Sequence, residues 1–157
     1  MAALQDLIER VHAAVADGKT LSIRGGGTKD FYGEPPRGAQ LSTLGHAGIV
    51  SYEPSELVVT VRAGTLLAEL EALLAERGQC LPFEPPRFSA DSTIGGVVAS
   101  GLSGPRRASA GSVRDYVLGV KLLDGSAREL SFGGQVMKNV AGYDVSRLVA
   151  GSLGTLG

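Results

Sequence analysis

Glycine placement constrains this chain more than any other feature of its sequence. The 157 residues include 23 glycines, roughly twice the usual share for a soluble protein. The glycines cluster at 25–33, 95–111 and 133–157 without a fixed period, which excludes collagen and low-complexity linkers. A residue without a Cβ suits places where main chain passes close to another group. The sequence therefore predicts three close-approach loops within one domain that spans 1–157.

The second cluster follows a predicted helix start. It consists of three N-capping residues, two glycines and a run of small residues: Asp91, Ser92, Thr93, Gly95, Gly96 and 97–101, which includes Ala99 and Gly101. A helix start of this kind is expected to expose free N–H groups and the positive end of the helix dipole to an anion such as phosphate. A small-residue helix packed tightly on a sheet is the alternative explanation.

The first cluster directly follows a predicted strand over 20–23. Its sequence is Arg24, Gly25, Gly26, Gly27, Thr28 and Lys29. Three successive glycine N–H groups can form a concave nest around a diphosphate, with the Thr28 hydroxyl and the charge of Arg24 or Lys29 nearby. The spacing matches neither the P-loop nor the dinucleotide-binding fingerprint. A glycine-rich surface loop is the alternative here.

Hydrophobic periodicity predicts a mixture of helices and strands, and hence an α+β fold. Helices are predicted over 2–16, from 64–65 to a C-terminal glycine at 78, and over 145–150. Strands are predicted over 40–44, 49–52 and 57–62. A hairpin of 117–123 with 127–132 is predicted around Asp124-Gly125, a dipeptide typical of two-residue turns.

Composition excludes several classes of function. The net charge of −1 gives no reason to expect nucleic acid or an acidic membrane surface as a partner. No apolar run reaches the length of a membrane span, and no Cys/His spacing indicates a metal site. The single cysteine, Cys80, rules out an internal disulfide and suits a reducing compartment. We expect its side chain to be buried, since nothing near it in sequence would lower its pKa.

The order of the glycine motifs resembles the PCMH-type FAD-binding domains of the flavoprotein family that includes vanillyl-alcohol oxidase and p-cresol methylhydroxylase. The motifs are 24–28, 92–96, 111–115, 142–144 and 151–155. Within this family the chain is most similar to the FAD-binding subunits of bacterial glycolate oxidases, through 24–33 and 136–147. The resemblance covers essentially the whole chain in the family's order.

The resemblance implies two α+β subdomains with FAD between them. The 25–29 loop would wrap the pyrophosphate, and 92–96 would face the same group. Residues Gly111, Ser112, Arg114, Asp115 and Val120 would line the adenine and ribose side, while 138–144, with Gly142 and Tyr143, would lie nearer the flavin. Some relatives attach FAD covalently through a histidine in the first glycine loop. No histidine is present there, so FAD is expected to bind noncovalently.

The resemblance also implies a longer protein that works within a multi-subunit complex. The family continues into another strand and a cap domain, so we expect this chain to be an N-terminal fragment that lacks both. It would bind FAD within a 2-hydroxy-acid (glycolate) oxidoreductase, together with a second flavoprotein subunit and an iron–sulfur subunit. Such a complex would be cytoplasmic, and peripheral at the inner membrane through its partners.

No convincing catalytic base and carboxylate-binding arginine are present, so no catalytic residue is assigned and the fragment alone is expected to be inactive. A noncatalytic assembly subunit that keeps the fold without functional flavin is the alternative. A nucleotide-sugar reductase on a related fold would need a proton donor that the sequence does not offer.

Overall fold

The computed structural model describes residues 2–135 and 143–157. Helices and strands are mixed along the described chain, which agrees with the α+β prediction. The helices are α1 Ala2–Ala16, α2 Leu67–Ala75, α3 Ile94–Ser100, α4 Arg107–Ala110, α5 Val113–Tyr116 and α6 Val145–Val149, with a 3₁₀ turn at Pro54–Glu56. The strands are β1 Leu21–Arg24, β2 Ala39–Ser42, β3 Ile49–Glu53, β4 Val58–Val61, β5 Gly119–Leu123 and β6 Glu129–Gly133. No described helix is both long and apolar enough to cross a membrane.

The described strands pair two by two. β1 and β2 run parallel, with Leu21 opposite Ala39 and Arg24 opposite Ser42. β3 with β4 and β5 with β6 form antiparallel pairs. An isolated antiparallel bridge joins Leu66 to Thr93. It brings the segment before α2 alongside the segment before α3.

Two clusters of buried side chains form the core. The first contains Leu7 and Val11 of α1, Leu41 of β2 and Ala127, with Leu21 of β1 packed against it. The second contains Leu67, Phe83, Val97 and Val113, and so joins α2, α3 and α5. β1 leads into the first glycine cluster and α3 opens the second. These two glycine-rich segments are therefore anchored in different parts of the core.

Two local predictions need correction. The β5–β6 hairpin exists, but its loop spans 124–128 because Asp124 accepts hydrogen bonds from the N–H groups of Ser126 and Arg128, both at 2.9 Å. Cys80 is exposed, whereas the sequence predicts burial. Of these two neighbours, Leu81 packs against the second core cluster, whereas the Cys80 side chain is exposed to solvent.

Candidate functional site

The first glycine loop, residues 25–29, lies directly against the segment that begins α3. A Cβ built on Gly25 would overlap the Thr93 hydroxyl, and one built on Gly26 would stand 2.6 Å from the carbonyl carbon of Asp91. The Thr28 and Ser92 hydroxyl oxygens are 3.2 Å apart. The structure thus brings two predicted groups of site residues together, and glycine is what permits the approach.

The main-chain donors of this loop have no partner among residues 2–135 and 143–157. None of the five N–H groups from 25 to 29 donates a hydrogen bond within the described residues. All five residues are half-buried. Consecutive main-chain N–H groups bind anions well, so a run of five without a described partner is a place where an acceptor-rich ligand can bind.

The start of α3 differs from its prediction. The Ile94 N–H donates to the carbonyl of Thr65 at 2.9 Å, and the Gly95 N–H to the carbonyl of Ala63 at 2.8 Å. The Gly96 N–H donates to the Thr93 hydroxyl at 3.2 Å. The expectation of free N–H groups at this helix start is therefore wrong. The carbonyls of the 63–65 segment, brought here by the Leu66–Thr93 bridge, supply acceptors that the sequence around α3 does not reveal.

Gly95 serves close packing. A Cβ there would stand 2.8 Å from the Ala63 Cβ, so Gly95 lets the 63–65 segment approach the helix. At Gly96 an added Cβ would have more room, with the Thr93 hydroxyl at 3.2 Å and the Lys29 ammonium nitrogen at 4.0 Å. Lys29 therefore reaches from the first glycine loop to the first turn of α3.

The two cations of the first loop have different surroundings. The Arg24 guanidinium donates to the Asp30 carboxylate, with Nε–Oδ2 at 2.9 Å and Nη2–Oδ2 at 2.6 Å, and the hydrogen bond to Asp30 raises the pKa of Arg24. Lys29 forms no salt bridge within the part of the chain that the structure describes. Partial burial lowers the pKa of Lys29. Lys29 is thus the loop cation whose charge is not already compensated.

Two phenylalanines beside Lys29 were not predicted to belong to the site. The Lys29 ammonium nitrogen lies 5.7 Å from the centre of the Phe88 ring, within cation–π range. Phe31 packs edge-on against Phe88, with ring centres 5.0 Å apart, and both rings are exposed, at 68% and 47%. The aromatic residue just after the glycine loop was the only sequence signal for this cluster.

The end of α3 contacts the third glycine cluster. The Ala99 carbonyl accepts a hydrogen bond from the Leu153 N–H at 2.8 Å. Gly101 has a positive φ of 66° and ends the helix, and a Cβ there would stand 2.9 Å from the Gly151 Cα. Ala99 and Gly101 therefore hold α3 to the 151–153 segment.

The predicted 111–115 motif forms the start of α5. Gly111 has a positive φ of 94°, and the Ser112 N–H and hydroxyl both contact an Asp115 carboxylate oxygen, at 2.9 and 3.0 Å. Both hydrogen bonds lower the pKa of Asp115, and the one from the Ser112 N–H has the larger effect. Val113 packs with Val97 of α3 in the second core cluster. The motif thus adjoins α3, but no hydrogen bond joins it to the 25–29 loop among described residues.

The remaining predicted residues lie apart from the first loop or outside the described chain. Arg114 is exposed. Val120 is half-buried in β5 opposite Phe132. Tyr143 is 96% exposed. Gly142 and the rest of 136–142 lie outside the described residues.

An open groove lies away from all of these residues. It is lined by α2 and by the segments around 79–87 and 105–106, including Cys80, Glu71 and Arg106. None of the predicted site residues lines it. The 25–29 N–H groups and Lys29, which are chemically suited to an anion, thus lie away from this groove.

A glycine loop whose N–H groups and lysine have no hydrogen-bond or salt-bridge partner among the described residues, set in an α+β domain, is typical of proteins that bind an anion through main-chain donors. Residues 2–133 match the family model described as FAD binding domain, and the chain belongs to that family. FAD is the cofactor that this membership indicates. The predicted family and cofactor are confirmed.

Individual relatives agree with the family assignment. The chain is 52% identical over 153 residues to glycolate oxidase subunit GlcE of Escherichia coli (strain K12), covering 98% of this chain and 44% of that protein. It is 33% identical over 136 residues to glycolate oxidase subunit GlcD of Bacillus subtilis (strain 168), covering 85% and 29%. The chain thus spans less than half the length of these relatives.

A solved structure shares the fold. An alkyldihydroxyacetonephosphate synthase superposes with a TM-score of 0.75 at 20% sequence identity, covering 98% of this chain and 28% of that one. The similarity at this identity concerns the fold alone.

Proposed function

We propose that this chain binds the diphosphate of FAD noncovalently at the 25–29 loop. The observation that carries the proposal is a run of five N–H groups, in half-buried residues, that donate to no described residue. A diphosphate offers several oxygen acceptors and negative charge, and consecutive main-chain N–H groups bind such anions well. The Lys29 ammonium supplies a cation at the same place, near Gly96.

The fit depends on absent side chains as much as on donors. Because a Cβ at Gly25 or Gly26 would collide with Thr93 or Asp91, the loop can hold this position only as glycine. The Thr28 and Ser92 hydroxyls, 3.2 Å apart, complete the polar lining. The loop and 91–96 would thus hold the diphosphate between two α+β subdomains, with 1–157 forming one FAD-binding domain.

The remaining predicted residues extend this proposal to the rest of the cofactor. Residues 111–115 and Val120 would line the adenine and ribose side, and Gly142 and Tyr143 would lie nearer the flavin. Support comes from α3, which contacts the 25–29 loop at its start and α5 along its side.

The larger function is a 2-hydroxy-acid oxidoreductase that acts on glycolate. FAD, when bound, supplies the redox chemistry. The similarity to two glycolate oxidase subunits supports a complex of several subunits. In it this chain would hold FAD and pass electrons, together with the second flavoprotein subunit and the iron–sulfur subunit that the resemblance implies. The complex would be cytoplasmic and peripheral at the inner membrane. We also propose that this chain alone does not oxidise glycolate, since no base and carboxylate-binding arginine are assigned in it.

The competing proposal is an assembly subunit that keeps the fold without functional flavin. It shares every packing feature described above, because packing explains the glycines of α3 without any ligand. The two proposals differ only in whether the 25–29 donors bind phosphate. A binding experiment therefore separates them.

The test is titration of the 157-residue chain with FAD, FMN and riboflavin, followed by flavin fluorescence. A diphosphate site predicts saturable one-to-one binding in the order FAD, FMN, riboflavin, with ADP competing against FAD. Equal affinity for FAD and riboflavin would reject the diphosphate site. Absence of saturable FAD binding would reject the proposed function in favour of the assembly subunit.

A further inference from the structure

The free donors of the 25–29 loop raise the question of what holds the loop in place. A loop whose N–H groups make no internal hydrogen bonds cannot be fixed by its own main chain, and ordering it on binding would weaken affinity. Just beyond it, the Asp30 N–H donates to the Gly27 carbonyl at 3.2 Å and the Tyr32 N–H to the Lys29 carbonyl at 2.9 Å, and each of these hydrogen bonds closes only a single turn. Side chains must therefore supply much of the order.

One side-chain contact spans the whole loop. Arg24 ends β1 and Asp30 follows the loop, and their side chains meet through Nε and Nη2 at 2.9 and 2.6 Å. The Arg24 carbonyl also accepts a hydrogen bond from the Thr43 N–H at 3.0 Å. Arg24 is thus fixed to the parallel strand pair before the loop, and its side-chain contact with Asp30 holds the residue after the loop close to that strand pair. We call this Arg24–Asp30 contact the link.

The guanidinium also fills space under the loop. Gly27 has a positive φ of 71°, and a Cβ built on it would overlap the Arg24 guanidinium. Gly27 therefore allows the guanidinium to lie against the loop main chain while it pairs with Asp30. The arginine of this motif is committed to the protein's own carboxylate.

We infer that Asp30 is a positioning residue of the diphosphate loop, which holds the 25–29 donors in their binding arrangement through Arg24. The inference rests on the proposed function and deepens it. It reassigns Arg24 from a cofactor contact to one half of a link across the loop. Lys29 is then the loop's cation for the phosphates.

The sign of one substitution separates this role from simple electrostatics. Asp30→Asn removes a negative charge beside an anion site, so Coulomb attraction alone would tighten FAD binding. Loss of the link would instead loosen the loop and weaken binding. Because both side chains of this ion pair are exposed, we expect the loss to be moderate, about fivefold in the FAD dissociation constant.

The experiment compares the FAD dissociation constants of the full 157-residue chain and four variants. These are Asp30→Asn, Arg24→Gln, the double variant, and Asp17→Asn as the control. Asp17 pairs with Lys19 at 2.7 Å between exposed side chains, so it matches the ion pair without touching the loop. Amide chemical shifts of 25–29 without FAD report the loop arrangement independently of binding.

The link predicts that both single variants and the double variant lose a similar factor, since the pair acts as one unit. It also predicts shifted 25–29 amide signals in Asp30→Asn and unchanged ones in Asp17→Asn. Equal or tighter FAD binding by Asp30→Asn would overturn the inference while leaving the proposed function intact. A further loss on adding Arg24→Gln to Asp30→Asn would also overturn it, because Arg24 would then contact the phosphates directly. Absence of FAD binding by the unsubstituted chain would reject the proposed function, and the inference with it.

Discussion

Addition of one methyl group at Gly26 should weaken FAD binding at least tenfold while the fold survives. Gly26 has no positive φ, so alanine meets no backbone penalty there. The obstacle is steric: the new Cβ would stand 2.6 Å from the Asp91 carbonyl carbon, and closer still to its oxygen. Main chain on both sides cannot escape by a rotamer change, so the loop and the 91–96 segment must separate.

The magnitude follows from that distance. The added Cβ would stand 1.7 Å from the Asp91 carbonyl oxygen, whereas real Cβ atoms essentially never come within 3.0 Å of another heavy atom. The two segments must therefore move apart by about 1.3 Å or more. Overpacking of this kind costs about 1–3 kcal/mol of folding stability, which lowers Tm by roughly 2–4 °C per kcal/mol in a chain of this size. The same displacement misaligns the loop donors. Loss of even one hydrogen bond to a charged phosphate, about 1.5–3 kcal/mol, weakens FAD binding tenfold or more.

Gly125 provides the matched control. It lies in the β5–β6 loop, its φ is not positive, and a Cβ there would meet nothing within 4 Å. Gly125→Ala should leave both Tm and the FAD dissociation constant close to their original values. Thermal unfolding by circular dichroism and FAD titration by fluorescence, on both variants, measure the two effects separately.

Equal FAD dissociation constants for Gly26→Ala and Gly125→Ala would contradict this prediction. That result would mean either that the 25–29 donors do not contact the phosphates or that the loop tolerates the displacement. A large fall in Tm with unchanged FAD affinity would show that Gly26 matters to packing alone and that the 25–29 donors do not hold the phosphates.

Further predictions concern the charge of the loop and one distant turn. Lys29→Gln should weaken FAD binding and flatten its salt dependence, measured by titration at several salt concentrations, whereas Lys19→Gln should change neither. As pH rises, Lys29 loses its charge and ADP binding should weaken. Because burial lowers the pKa of Lys29, this weakening should begin at a lower pH than for an ordinary lysine. Between the lowered pKa of folded Lys29 and the usual lysine value, the unfolded chain binds more protons than the folded chain. Lys29 should therefore make the free energy of unfolding rise with pH in this window. A free energy of unfolding that falls with pH there, or ADP binding that persists to higher pH, would contradict the assignment. Phe88→Leu should weaken FAD binding about two- to fivefold by removing the cation–π contact, and Phe88→Trp should preserve it; equal affinities would exclude a role for the ring. The hydrogen bond from the Arg128 main-chain N–H lowers the pKa of Asp124. The stabilisation that the Asp124 carboxylate provides should therefore be lost as pH falls through this lowered pKa. Asp124→Asn should reduce the pH dependence of Tm at acid pH.

Features governed by nearby residues were predictable from sequence. The apolar repeat over 2–16 predicts α1 correctly, and the alternation around Asp124 predicts the β5–β6 hairpin. The length of that hairpin's loop was missed because the Asp124 side chain bonds two main-chain N–H groups. This local competitor outweighs the Asp-Gly preference for a two-residue turn.

Features that depend on distant segments were not predictable. The start of α3 carries the residue types of an open helix terminus, yet its N–H groups bond to carbonyls of Ala63 and Thr65. Similarly, the reason for glycine at 26 is the Asp91 carbonyl, which lies 65 positions later in the chain. A pattern in one segment cannot reveal which distant acceptor or carbonyl will fill the space beside it.

The glycines of the first loop and of α3 therefore differ in what they contribute. In α3, Gly95 allows approach, and its N–H is used by the protein itself. In the 25–29 loop, glycine allows approach while the N–H groups donate to no residue that the structure describes. Since the donors there are main chain, changes to surrounding side chains such as Asp30→Asn should weaken FAD binding moderately, whereas a Cβ at Gly26 displaces the donors themselves. Gly26→Ala should for this reason exceed Asp30→Asn in its effect on affinity, and the reverse order would mean that side-chain charge, not main-chain geometry, governs the site.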